Sequence, residues 1–150
     1  MKTPEYYTPN WFSNMMPMEE PLIYKGVAYR TVEHFFQAMK TMDDNLRKEI
    51  AEKKSPYTAK QYWRNNGNKI RSDWKNIRLD VMEYALRHKF KVFTVYCKML
   101  LDTEDHEIVE WNVWSDTFWG KDIRTGEGEN NLGKLLMKIR TDLKKELGYR

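Results

Sequence analysis

A chain of 150 residues holds one domain's worth of core, and 41% hydrophobic with 32% charged residues is the balance of a folded globular protein, which excludes disorder and collagen-like fibre. The formal net charge of +4 favours an anionic partner but falls short of the dense basic stripe of a dedicated DNA-binding domain. Neither a signal-peptide stretch nor a run near the ~20 apolar residues that span a bilayer is present, so a cytoplasmic protein without membrane contact is expected.

In chain order, the first predicted element is a hairpin. Leu22-Ile23-Tyr24 and Val27-Ala28-Tyr29 flank Lys25-Gly26, a two-residue turn in which glycine supplies the positive φ. Thr31 then caps a helix whose Val32, Phe35, Phe36 and Met39 recur at helical spacing and form a core stripe. Beside it Glu33, Gln37 and Lys40 make a polar stripe. From spacing alone this stripe reads as a solvated face; the competing reading is a row over roughly 10 Å of helix along which a polar ligand lies.

Asp43 to Lys54 is predicted helical, Ser55-Pro56 opens a further helix as N-cap and first-turn proline, and Asn65-Asn66-Gly67 stops it. A long helix from Ser72-Asp73 carries Trp74, Ile77, Val81 and Ala85 on one side and Met82, Leu86 and Phe90 on another, and so should be central. Val95 to Leu101 is a short helix ended by Asp102-Thr103. From Ile108 to Val113, Val109, Trp111 and Val113 alternate with Glu110 and Asn112 as in a half-buried strand. Arg124 to Glu129 is a loop punctuated by Gly126 and Gly128, after which Asn130 or Asn131 is expected to cap a helix striped by Leu132, Leu135, Leu136 and Ile139. Free N–H groups at that helix start, with Lys121, Arg124 and Lys134 nearby, offer an anion a seat, although glycines before a helix more often mark a turn. One cysteine, Cys97, excludes an intrachain disulfide, and His34, His88 and His106 lack metal-ligand spacing, so no metal and no cofactor is expected and each histidine reads as structural. With no repeat or linker, residues 1–150 are expected to form a single α+β domain, mostly helical, with a small β-hairpin and strand element; a monomer is expected.

Several motifs in order carry a resemblance. Phe12-Ser13-Asn14 comes first, then Thr31-Val32-Glu33-His34-Phe35-Phe36-Gln37-Ala38-Met39-Lys40 after the hairpin, then Trp74 with Met82, Leu86 and Lys89-Phe90. Ile108-Val109-Glu110 precedes Ser115-Asp116-Thr117-Phe118-Trp119-Gly120, and Gly126-Glu127-Gly128-Glu129-Asn130-Asn131-Leu132-Gly133 runs into Leu135-Leu136-Met137 and Arg140. Together they resemble the NADAR family, also called YbiA-like, over nearly the whole chain. Two positions depart from its pattern: Met15 stands where an aromatic is common, and Arg30 where proline is common.

The resemblance implies a YbiA-like domain and an N-glycosidase. Two substrate classes go with it: ADP-ribose attached to the amino group of guanine in DNA or RNA, and phosphorylated ribosylamine intermediates of riboflavin synthesis. The first, reversing a DarT-type toxin or transferase, is the expected one, in an antitoxin, phage counter-defence or repair setting. Breaking a ribosyl C–N bond develops positive charge at the anomeric carbon and negative charge on the leaving nitrogen, so the site needs a fixed carboxylate and a proton source. Glu33 and Asp116 are the candidates; for Asp116 the plain alternative is a turn-forming role. Lys40 offers a covalent route through an imine if its amine is neutral, or grips an anion as a cation. For binding, Ser13 and Asn14 reach ribose hydroxyls or a base edge, Gln37 continues the polar stripe, Trp74 is a ring platform or packing, Trp119 with Gly120 shields the loop, and Gly128 with Asn130 cradles phosphate. The non-enzymatic alternative is a module binding ADP-ribose or single-stranded nucleic acid through aromatics that make up 14% of the chain.

Overall fold

The computed structural model of the chain describes residues 5–7 and 12–149. Two compact units are present, a central one of Asn14–Lys89 and a flanking one built from Phe90–Arg150 with the residues before Asn14. Helices hold most of the ordered secondary structure and the strands are short, a mostly helical α+β fold.

In the central unit, β2 (Pro17–Tyr24) folds back on β3 (Val27–Thr31) as an antiparallel hairpin, with Tyr24 opposite Val27. The preceding strand β1 (Glu5–Tyr7) belongs to the flanking unit. Lys25 and Gly26 take φ values of 48° and 79°, the left-handed pair that a two-residue turn requires to match strand twist. Thr31 is extended and its hydroxyl accepts from the His34 N–H, which starts α1 (Val32–Ala38) where its cap predicts.

All of α1 is buried, including Glu33 at 6% and Gln37 at 3% exposure, so the solvated-face reading of the polar stripe is overturned. The physical reason is crowding. Three helices, α2 (Asp44–Ala51), α3 (Pro56–Gln61) and α4 (Trp74–Lys89), pack around this two-turn segment as well as the hairpin, and leave it no outward side. Asp43 caps α2 through Oδ1, and Ser55 opens α3 with a reciprocal capping box to Thr58 and Pro56 in the first turn. His34 is structural, with Nδ1 2.7 Å from the Thr31 hydroxyl and Nε2 3.0 Å from the Lys53 carbonyl. Arg30, in the family's proline position, uses the donors that proline lacks: it donates to the carbonyls of Lys53 at 2.6 Å and Lys54 at 3.2 Å, tying the hairpin to the end of α2. Along α4, Trp74, Met82, Ala85 and Leu86 are buried while Ile77 and Val81 are half-buried, so one of its two apolar sides dominates.

In the flanking unit, α5 (Val95–Leu101) is capped by the Thr94 hydroxyl, and α6 (Asn131–Glu146) packs on α5 and on β4 (Glu107–Val109), which pairs in parallel with β1. The strand expected from Ile108 to Val113 breaks at Glu110. Its second part, β5 (Trp111–Asn112), pairs in parallel with β6 (Lys121–Asp122), and the alternation is inverted, Asn112 buried and Val113 60% exposed. At the break, the Glu110 N–H donates to Asn130 Oδ1 at 2.9 Å and its carbonyl accepts from the Lys121 N–H at 2.8 Å. Asn112 then turns inward, where its amide donates to the Asp116 carbonyl and accepts from the Asp116 N–H. Asn130 takes the cap position of α6 but makes no cap bond, because its side chain spans Ile108 and Glu110 instead.

Candidate functional site

The polar stripe of α1 leads to a cleft of about 520 Å³ within the central unit. Gln37 and Lys40 line one side; Tyr57 and Lys60 of α3, with Trp63 and Arg64 from the 3-10 turn that follows, line another. Those last residues were not singled out from sequence, yet a signal existed: Tyr57, Lys60, Gln61 and Arg64 recur at one-face helical spacing just past the Ser55-Pro56 helix start.

Gln37 organises the inner end. Its Nε2 donates to Glu33 Oε1 at 2.6 Å, its backbone carbonyl accepts from the Trp63 indole N–H at 3.0 Å, and its own Oε1 is buried without a hydrogen-bond partner among the described residues. Glu33 donates its backbone N–H to the Asn14 carbonyl at 3.1 Å, and Asn14 Oδ1 is a second buried oxygen without a partner among the described residues. Lys40 follows α1 in a turn whose carbonyl accepts from the Arg71 N–H at 2.7 Å. Its Nζ stands 5.6 Å from the Phe36 ring centre and 5.8 Å from that of Trp74, and those two rings meet edge to face at 4.9 Å. Trp74 thus packs as core and also walls the amine.

Burial raises the Glu33 carboxyl above the ordinary carboxylate range, against the opposing pull of the Gln37 amide, Lys60 and Lys40. Burial lowers the Lys40 amine, with Lys60 adding to the drop and Glu33 opposing it. A carboxyl that holds its proton more readily than usual and an amine that takes one less readily, held within electrostatic reach of each other, are groups suited to proton movement.

Six sequence-predicted residues lie in the flanking unit: Ser13, Asp116, Trp119, Gly120, Gly128 and Asn130. Asp116 Oδ1 accepts from the N–H groups of Phe118 at 3.1 Å and Trp119 at 2.9 Å, the turn-forming arrangement. Trp119 is half-buried and meets Phe118 edge to face. Gly120 accepts from the Asn130 N–H, and Gly128, at φ 144°, lies so close that a Cβ there would sit 2.2 Å from the Gly120 carbonyl oxygen. Arg124, counted from sequence as positive charge for an anion seat, is paired with Asp122 at 2.8 Å. Ser13 is half-buried. Of the predicted residues, the fold of the central unit brings together Glu33, Gln37, Lys40 and Trp74, with Asn14 joined to Glu33 through the backbone; the others belong to the flanking unit.

The NADAR domain profile matches residues 2–144. N-glycosidase YbiA of Shigella boydii serotype 4 (strain Sb227) is 37% identical over 123 residues, 82% of this chain and 76% of that protein. Riboflavin biosynthesis protein VVA0006 of Vibrio vulnificus (strain YJ016) is 34% identical over 124 residues, 83% of this chain but 33% of that protein. The NMR structure of the E. coli protein YbiA resembles this one with a TM-score of 0.83 at 31% identity, over 100% of this chain and 90% of that chain. Agreement of profile, relatives and fold across so much of the polypeptide places the chain in the NADAR family of N-glycosidases.

Proposed function

We propose that the chain hydrolyses the bond between ADP-ribose and the exocyclic amino group of guanine in DNA or RNA, reversing a DarT-type modification. The observation that carries this reading is the cleft: Lys40, Lys60 and Arg64 give it positive charge for a diphosphate, and Gln37 with Glu33 behind it supplies the carboxylate that a cationic sugar carbon needs. Tyr57, 61% exposed, leaves one margin open for the base-bearing strand. The module that only binds, left open by the sequence, gives way to an enzyme because the family relatives are N-glycosidases.

In the proposed chemistry, the sugar opens to an imine on the guanine nitrogen. The neutral Lys40 amine adds to C1, its two protons pass in turn to the guanine nitrogen, and the C1–N bond to guanine breaks, releasing guanine with its free amino group and leaving the sugar on Lys40 as an imine. Water then adds to C1 and frees both Lys40 and ADP-ribose. Glu33 supports the cationic intermediates and moves the protons. Asp116 enters as the second carboxylate; with Oδ1 held by two backbone N–H groups, Oδ2 is the oxygen left for substrate. Ser13, Trp119, Gly120, Gly128 and Asn130 enter as further substrate contacts.

A second reading, hydrolysis of a phosphorylated ribosylamine, is favoured by the relative named for riboflavin biosynthesis. Both substrates are ribosylated exocyclic amines, so a chromatographic assay on each separates them. Release of ADP-ribose from ADP-ribosylated oligonucleotide as the faster reaction is expected; preference for the ribosylamine phosphate overturns the choice. Borohydride added during turnover should fix sugar to Lys40, and active enzyme without any adduct removes the covalent route.

A further inference from the structure

We infer that Gln37 is the specificity-determining residue that reads the hydroxyl next to the reacting sugar carbon, an assignment that rests on the site proposed above. The side chain is 3% exposed and lines the cleft. Its nitrogen is committed to Glu33 Oε1 at 2.6 Å. The nitrogen faces Glu33, and the carbonyl oxygen on the same carbon therefore faces elsewhere. That oxygen, Oε1, is buried and has no donor among the described residues.

The backbone that carries the amide is held as well: the Gln37 carbonyl accepts from the Trp63 indole at 3.0 Å, and the start of α1 is tied by the Glu33 N–H on the Asn14 carbonyl at 3.1 Å. A buried acceptor left without a donor costs free energy that a paired one does not, and a ligand in the cleft can supply the missing donor. The amide presents its nitrogen and oxygen on one carbon, side by side. If the nitrogen orients the carboxylate at C1 of the sugar, the oxygen falls beside the neighbouring position, the 2-hydroxyl. Hydrogen bonds to that hydroxyl strengthen as positive charge grows at C1, so the contact favours the transition state as well as the bound sugar.

The test uses three sugar phosphates that differ only at C2: ribose 5-phosphate, which carries the product's sugar, 2-deoxyribose 5-phosphate and 2-deoxy-2-fluororibose 5-phosphate, titrated into the wild-type protein by calorimetry. Ribose 5-phosphate is expected to bind about 10- to 100-fold more tightly than either analogue. Fluorine accepts but does not donate, so the fluoro sugar must fall with the deoxy sugar. If it binds like ribose, or if all three bind equally, the assignment of Gln37 is overturned while the site itself stands. If none binds, the proposed site fails and the assignment with it. In Gln37→Met, of similar volume, the preference should collapse to about onefold; a preference that survives in folded variant shows that another group reads the hydroxyl. Where the variant does not fold, the wild-type comparison still overturns the assignment if the sugars bind alike.

Discussion

Glu33 in the central unit and Asp122 in the flanking unit are almost equally hidden, at 6% and 5% exposure, yet their surroundings drive their carboxyls in opposite directions. Asp122 is held at about 2, first by the Arg124 side chain and then by the Arg124 backbone N–H. The guanidinium reaches Oδ1 at 3.1 Å and Oδ2 at 2.8 Å, and the backbone N–H reaches Oδ1 at 2.8 Å. Glu33 has one amide donor, and burial wins. Depth and donor supply together separate a carboxylate that knots a loop from one that keeps its affinity for a proton. Asp116, the other predicted catalytic acid, spends one oxygen on two backbone N–H groups, where Glu33 has a single side-chain amide.

The sharpest way to break the comparison is Glu33→Gln. Turnover should fall about 10³-fold or more, because the charge that matches the cationic sugar is gone. Stability at neutral pH should instead rise by about 1 kcal/mol, since a neutral amide escapes the cost of burying an ion. The sign follows from the raised carboxyl. Above the unfolded value of 4.5 the unfolded chain loses its proton first, so wild-type stability declines as pH rises through the folded value of Glu33. Urea melts across pH 4 to 8 should show this decline in wild type and not in the variant. A variant that is destabilised at pH 7 would place Glu33 with Asp122 among the structural carboxylates.

Lys40→Ala should lower turnover by about 10²-fold, and the pH profile reports the amine's state. A lowered amine pKa predicts kcat/KM that rises with pH and then levels. A descending alkaline limb would make Lys40 a cation that grips the anion. Lys60→Ala removes the positive neighbour that helps to lower the amine, so the rising limb should move to higher pH.

Local chemistry made much of this fold legible. The Lys25-Gly26 turn, the Thr31 cap and the Ser55-Pro56 start lie where their residues put them, because each is fixed by bonds within a few residues. The failures are tertiary. Nothing in the spacing of Glu33 and Gln37 says that α2, α3 and α4 close around them, and the alternation from Val109 to Val113 cannot foresee that Asn130, from a distant segment, takes the Glu110 N–H. The site was half legible for the same reason: its acid, amide and amine share one helix pattern, while the cationic wall from α3 arrives only through packing.

Packing against backbone gives the next prediction. At Gly133 an added Cβ would sit 2.2 Å from the Ile108 carbonyl oxygen, whereas at Gly67 it would meet nothing within 4 Å. Gly133→Ala should cost about 2 to 3 kcal/mol by chemical denaturation, and Gly67→Ala close to nothing. Equal midpoints for the two would mean that α6 slides on β4 without penalty.

The smallest effect belongs to Asp122→Asn, and its value lies in its pH dependence. A carboxyl lowered from 3.8 to about 2 on folding contributes stability that is fully present above about pH 4 and is lost as pH falls through about 2. The difference in Tm between wild type and Asp122→Asn should therefore be constant from pH 5 to 8, shrink below pH 4 and close near pH 2. This runs opposite to Glu33→Gln, whose advantage grows as pH rises. The activity profile supplies the second axis: the rising limb of kcat/KM, set by Lys40, should coincide in Asp122→Asn and wild type. A Tm difference that persists undiminished at pH 2 would show that the loop depends on the shape of the side chain and not on its charge, and a displaced rising limb would couple Asp122 to the amine.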